Sequence, residues 1–229
     1  VIIRLVFNTI LFCLCSGAFA QNSLDDIDLQ RIPQKKVRKF ILNQKEKKVH
    51  RFDEIKVSFK SEEDTSNFNI VNKLYLINEN ISDVWNRYVC NDLTSAWNGK
   101  MVSYGVSVSK ANHGIFYCND VDVKAAIGQV LFLNLRLMKG IYNLAVAFEI
   151  TEIDPVKKII VFNYVEGGKS WGEQILRFRS TPEGFTEIEH KTFFRSNSKF
   201  RDKRLYPFFH KKLIDEFHEN VMKRKRSEG

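Results

Sequence analysis

From Gly140 to Arg195 apolar and polar residues alternate in four runs, separated by Asp154-Pro155, Gly167-Gly168-Lys169-Ser170 and Thr181-Pro182-Glu183-Gly184. These separators hold residues that suit the backbone angles of tight turns, and three hairpins in succession predict an antiparallel meander. In the first run Leu144, Val146, Phe148 and Ile150 alternate with Asn143, Ala145, Ala147 and Glu149, the period of a strand with one wet face. The second run is apolar on both sides, Ile159, Val161 and Val165 interleaving with Ile160, Phe162 and Tyr164, which places it inside the sheet. In the third, Gln174, Leu176 and Phe178 alternate with Glu173, Ile175, Arg177 and Arg179; in the fourth, Ile188, His190, Thr192 and Phe194 alternate with Glu187, Glu189 and Lys191. Each of these two has one solvated face.

After Arg195 the period becomes helical. Leu205, Phe209, Leu213, Phe217 and Val221 recur every four residues, Tyr206, Ile214 and Met222 widen the stripe, and Lys211, Lys212, Asp215, Glu216 and Glu219 fall on the opposite side. Pro207 fits in a first helical turn, where its missing N–H has no partner to lose, so the helix is expected to start near Lys203 or Arg204. Burying five large side chains is worth on the order of 10 kcal/mol before entropy, enough to require that the helix pack on the sheet.

The middle of the chain supplies the remaining elements. A strand around Ile70 to Ile77 leads through Asn80, a helix cap, into a short helix from Ser82 to Cys90 with Val84, Trp85, Tyr88 and Val89 on one face. A second short helix, Asp92 to Asn98, ends at Gly99, a residue suited to a C-cap. Strands are expected near Met101 to Val108, Gly114 to Cys118 and Gly128 to Leu137. The fold class is therefore α+β: a curved antiparallel sheet of about seven strands, two short helices after the first strand, and a long C-terminal helix.

Residues 1–20 change the picture of where such a domain resides. Arg4 precedes an apolar run from Leu5 to Cys15, and Ala18-Phe19-Ala20 is a small-residue cleavage pattern ahead of Gln21. The run is too short to span a bilayer, which takes about 18 or more apolar residues, so it is read as a secretory signal peptide cleaved after Ala20, and the protein is expected to be secreted or periplasmic. Removal of 20 of the 229 residues leaves 209, and the loss of Arg4 takes the formal charge from +9 to +8. Residues 21–55 form a basic segment crowded with Arg31, Lys35, Lys36, Arg38, Lys39, Lys45, Lys47 and Lys48. It reads either as a surface helix drawn to an anionic membrane or as a linker or helix laid over the main domain, residues 56–226. The closing Lys223 to Arg226 lacks the interleaved aromatics that single-stranded nucleic acid binding uses, and no specific nucleic acid partner is expected. Cys90 and Cys118 remain after cleavage; an oxidising compartment permits a disulfide, and two small buried thiols are the alternative. No CxxC pair or histidine cluster accompanies them, so no metal site is expected.

The order of elements, with Asn80-Ile81-Ser82-Asp83-Val84-Trp85 entering the first helix after strand one, the hairpin Ile160-Val161-Phe162-Asn163-Tyr164-Val165-Glu166-Gly167 continuing through Ser170, Gly172 and Glu173, and the long helix from Leu205, resembles the START-like or birch-pollen-allergen-like (SRPBCC) superfamily. The likeness covers about residues 68–225 and looks like an uncharacterised bacterial and plant branch of that superfamily. It implies a helix-grip fold, whose sheet wraps around the C-terminal helix, and binding of a hydrophobic small molecule such as a lipid, isoprenoid or polyketide between the two. The leading basic segment and signal peptide depart from the usual small intracellular members.

The residues themselves place candidate ligand contacts in the same space. If Ile188 and Phe194 face inward, the strand period turns His190 and Thr192 inward with them, and Gln174 joins Leu176 and Phe178 on the neighbouring strand; His190, Thr192 and Gln174 would orient a guest while Phe148, Phe162, Tyr164, Leu176, Phe209, Leu213 and Phe217 form the walls. The alternative is a filled core in which His190 is hydrogen-bonded to a neighbour. Some relatives in the superfamily are cyclases or aromatases, and an inward His190 near Tyr164 would be placed to exchange protons with a bound polyketone. No catalytic residue is singled out, however. The chain contains no HExxH, and Gly167-Gly168-Lys169-Ser170 lacks the preceding glycine spacing of a phosphate-binding loop. No cofactor is expected. Carriage of an apolar ligand, an enzyme acting on such a ligand, and a basic surface-interaction protein of the cell envelope are the function classes left open.

Overall fold

The computed structural model describes residues 23–60 and 65–223; the expected signal peptide and Arg224 to Arg226 lie outside them. After two short 3-10 turns come α1 (Lys35–Glu46), β1 (Asn69–Ile77), α2 (Ile81–Cys90), α3 (Leu93–Ala96), β2 (Val102–Ser109), β3 (Ile115–Tyr117) and β4 (Gln129–Leu137). The meander then follows as β5 (Tyr142–Asp154), β6 (Ile159–Tyr164), β7 (Trp171–Ser180) and β8 (Thr186–Arg195), and the chain closes with α4 (Tyr206–Met222). All eight strands join one antiparallel sheet in the order β1-β8-β7-β6-β5-β4-β2-β3. This is the α+β architecture the sequence predicts.

The turns form for local reasons. Asp154 accepts the backbone N–H groups of Val156 and Lys157 at 2.9 and 2.8 Å, and Gly167 and Gly184 take φ of +87° and +84°, open to glycine at little cost. Asn80 caps α2 through Oδ1, which accepts the Asp83 N–H at 3.0 Å. Gly99 is not the cap of α3, which ends at Trp97. It leaves room instead for the carboxylate of Glu216 on α4, which a Cβ there would displace.

The inner face of the sheet, with α2, α3 and α4 against it, holds one hydrophobic core; residues 23–55 build a second on the outer face. In α1, Val37, Phe40 and Ile41 turn inward and pack with Leu24, Ile32, Phe52 and Ile55 against Val106, Val130 and Phe132. Gly105 lies at a register shift in β2, where an added Cβ would stand 3.0 Å from Val37 Cγ1 and 2.9 Å from the Phe132 carbonyl. This second layer overturns the expectation that β5 has a wet face. Ala147 is buried and Glu149 nearly so, because α1 lies across them. Lys110 Nζ offsets the cost of burying the Glu149 charge: it sits 2.6 Å from the carboxylate and donates to the Ile55 carbonyl at 2.7 Å.

Two features of α4 also differ from the sequence reading. A π-helical turn, Arg201–Leu205, runs into it, with the Tyr206 N–H bonded to the Arg201 carbonyl. Inside an ordinary helix the Pro207 ring would crowd the carbonyl four residues back, and a wide turn relieves that contact. Moreover, Asp215 and Glu216 are not on a free solvent face. The sheet curls far enough that β1 reaches one flank of α4, where Lys73 and Tyr75 hydrogen-bond Asp215. On the other flank Glu216 accepts the backbone N–H groups of Lys100, Met101 and Val102 at 2.7, 2.8 and 3.1 Å. Asp215 is partly buried, which opposes ionisation, but the bonds from Lys73 and Tyr75 outweigh this and hold its carboxyl below the ordinary value.

Cys90 at the exposed end of α2 and half-buried Cys118 just beyond β3 are free thiols rather than a disulfide. They sit on separate elements, α2 and the margin of the edge strand β3, and Cys118 Sγ instead faces Asn119 Oδ1.

Candidate functional site: a cavity beneath the C-terminal helix

The apolar stripe of α4 has two fates. Toward the C-terminus Ile214, Phe217 and Val221 are buried in the core, whereas Leu205 is 41% exposed and Phe209 and Leu213 are only half-buried. The N-terminal half of the stripe is incompletely covered because it faces a cavity of about 310 Å³ rather than packed side chains. Leu135 of β4, Val146 and Phe148 of β5, Tyr164 of β6 and Gln174 of β7 form the sheet side; Tyr206, Phe209, His210 and Leu213 form the helix side. Trp97, buried and stacked on Phe217 at 4.3 Å between ring centroids, stands at the inner end. At the mouth lie exposed Met138 and Tyr142 with Lys169 and Arg201.

Of the candidate contacts, Phe148, Tyr164, Gln174, Phe209 and Leu213 line this cavity. Phe162, Leu176, His190, Thr192 and Phe217 are buried around it without lining it. His190 and Gln174 nonetheless belong to one polar chain. The Tyr88 hydroxyl meets His218 Nδ1, His218 Nε2 lies 2.9 Å from His190 Nδ1, and His190 Nε2 lies 2.9 Å from Gln174 Oε1. With neutral rings the chain is fully satisfied: Tyr88 donates to His218, His218 to His190, and His190 to Gln174. Beside it Thr192 Oγ1 is 3.3 Å from His210 Nε2, and the His210 ring stacks on Tyr206. The hydroxyls of Tyr164 and Tyr206 bond each other across the cavity wall.

Burial dictates the protonation of this cluster. Desolvation holds His210 and His218 down to about pKa 3, and His190 is pulled well below the ordinary imidazole value by desolvation and then by its histidine neighbours. Tyr164 and Tyr206 are pushed upward by the same loss of water. Two side chains that line the cavity each carry a fully buried polar atom without a partner among the described residues: His210 Nδ1 and Trp97 Nε1. Among the described residues, no group of three or more His, Cys, Asp or Glu side chains is disposed to hold a metal ion.

His210 and His218 are the functional candidates that the sequence reading passed over. Their signal was present: Tyr206, His210, Ile214, His218 and Met222 form one row at a spacing of four, but only its apolar members were counted toward the buried stripe.

No protein-family model matches this sequence, and no curated protein matches it. Among solved structures it is similar to norcoclaurine synthase from Thalictrum flavum, with 10% identity over 72% of this chain and 95% of that one at a TM-score of 0.49. It is likewise similar to ginseng major latex-like protein 151 from Panax ginseng, with 12% identity, 68% and 99% coverage and a TM-score of 0.49. A protein from Nitrosospira multiformis matches with 11% identity, 69% and 99% coverage and a TM-score of 0.44. The order of elements, the single antiparallel sheet and the long helix it holds on both flanks give this chain a helix-grip architecture.

Proposed function

We propose that this protein binds and carries an apolar small molecule in the cavity between its sheet and α4. The observation that carries the reading is the cavity itself. A space of about 310 Å³ walled by aliphatic and aromatic side chains lies within the size range of small-molecule sites. An interior with so much apolar wall and so few polar groups favours guests that leave water readily.

Carriage accounts for the chemistry of the wall better than catalysis does. A general base works best with a pKa near the working pH, whereas the histidine on this wall, His210, is held near 3. The rim adds a route for loading. Exposed Met138 and Tyr142 line the mouth together with Lys169 and Arg201, a combination of apolar and cationic side chains that suits an anionic lipid surface. The secretory leader expected from residues 1–20 belongs to the same reading, and N-terminal sequencing of the protein from its host would test it by finding Gln21 first.

Titration with an environment-sensitive apolar fluorophore tests the central reading, using the protein and its Leu213→Trp variant, which adds bulk to the helix side of the cavity. Saturable uptake that falls at least tenfold in the variant, with an unchanged circular dichroism spectrum, supports carriage. Absence of uptake by the unaltered protein, or equal uptake by the variant, contradicts it.

A further inference from the structure

The outer face of the sheet changes character where α1 begins. Strand alternation puts Phe132, Asn134 and Arg136 on one face of β4. Phe132 packs edge-on against Phe40 of α1, whereas Asn134 and Arg136 line a recess of about 630 Å³ together with Lys35 and Lys36 from the first turn of α1. Register sets Ser103 of β2 opposite Asn134, and Asn143 of β5 opposite Arg136, and both line the same recess. It shares no lining residue with the apolar cavity.

The floor of this recess is fixed and polar. Asn134 and Ser103 are 4% and 6% exposed. Asn134 Nδ2 donates to Asn143 Oδ1 at 2.9 Å, and Asn143 Nδ2 to the Gly140 carbonyl at 2.8 Å, which holds both amides in one orientation. Asn134 Oδ1 and the Ser103 hydroxyl bond nothing among the described residues, yet neither is sealed from solvent. Exposed lysines alone say little on a chain with a formal charge of +9, but Arg136 is half-buried and forms no ion pair with a described carboxylate. Its Nη2 donates to the Gly99 and Val102 carbonyls at 2.8 and 3.2 Å, and Nη1 is left open to solvent. Glu216 reaches the same loop but gives its oxygens to the N–H groups of Lys100, Met101 and Val102. Among the described residues no Asp or Glu lines the recess, so three cations share it without a counter-charge.

We propose that this recess binds a small hydroxylated phosphate monoester, of the sugar phosphate kind, with its phosphate held by Arg136, Lys35 and Lys36 and its hydroxyls by Asn134 and Ser103. A phosphate monoester carries about −1.5 to −2 charges at neutral pH, which matches three cations better than one carboxylate does. The amide oxygen accepts from a sugar hydroxyl, and the serine both accepts and donates. A floor buried this deeply favours a free small molecule over a headgroup held in a bilayer. The site is independent of the apolar cavity, and its failure would leave the carrier reading standing.

Calorimetry at low ionic strength tests the site with glucose 6-phosphate, ribose 5-phosphate and glycerol 3-phosphate, each compared with its unphosphorylated parent and with inorganic phosphate. At least one ester should bind saturably and roughly tenfold or more tightly than both its parent and inorganic phosphate, as hydrogen bonds to each half of the molecule would give, and added salt should weaken it. Arg136→Gln should reduce that affinity severalfold. So should Lys35→Glu combined with Lys36→Glu, two exposed positions at which the circular dichroism spectrum should not change. Lys211→Glu combined with Lys212→Glu makes the same charge change at exposed positions on α4 and should leave binding as it was. Absence of binding by all three esters, affinities no better than that of inorganic phosphate, or an equal loss in the α4 variant would overturn the site.

Discussion

At the scale of single residues, the interior is organised by three neutral histidines whose nitrogens are mostly committed to one another and to Tyr88, Gln174 and Thr192. This neutrality has a consequence for stability. In the unfolded chain each imidazole takes up a proton near pH 6.5, whereas in the fold His210 and His218 stay neutral down to about 3 and His190 is likewise held low. The unfolded state therefore binds more protons below pH 6.5, and stability falls as pH falls, approaching about 1.4 kcal/mol per pH unit for each histidine. Urea denaturation between pH 7 and 5, where ordinary carboxylates remain ionised, should show the midpoint dropping steadily; a flat profile would mean the rings are not neutral and sealed. Tyr88→Phe, which takes the donor from His218 Nδ1, should cost about 1–3 kcal/mol in the same assay at pH 7, and no loss would show that water or a tautomer change replaces it. The inward placement of Gln174, His190 and Thr192 was legible because a strand period has only two faces, and apolar neighbours on β7 and β8 identify the buried one. His210 and His218 were not, because a helix offers several faces and a polar residue within an apolar row carries no sign of which way it turns.

At the scale of elements, α4 is clamped rather than merely packed. Glu216 gathers the N–H groups of Lys100, Met101 and Val102, while Asp215 takes Lys73 and Tyr75 from the opposite edge of the sheet. Glu216→Ala leaves those N–H groups without their acceptor and should destabilise by about 1–3 kcal/mol, read as a shift in the urea midpoint; an effect below about 0.5 kcal/mol, typical of a solvated surface site, would contradict the clamp. From sequence these acids looked solvated because helical periodicity describes one helix alone, and the curl of a sheet around both flanks is a property of the pair. The turns of the meander were legible for the opposite reason: Asp154, Gly167 and Gly184 act on the backbone within a few residues of themselves.

At the scale of the whole molecule, the N-terminal segment makes a third layer. Its charges are read easily, but its function in the fold rests on Val37, Phe40 and Ile41, which cover the outer face of β2, β4 and β5. Gly105 permits the close approach of α1, so Gly105→Val should push α1 outward and raise hydrogen exchange across Lys35–Glu46; unchanged protection there would contradict the docking. The cavity is the feature least visible in the sequence. Periodicity says which side chains turn inward, as it did for Phe148, Tyr164, Phe209 and Leu213, but whether they meet or leave a space depends on the curvature of the sheet and the height at which α4 is held.

Native mass spectrometry of the protein purified from its own host, followed by organic extraction, tests the central claim most directly. The account predicts a stoichiometric, mainly apolar adduct that is lost from the Leu213→Trp variant. A clean mass for the unliganded chain, with no uptake from a lipid extract of the same host, would contradict it.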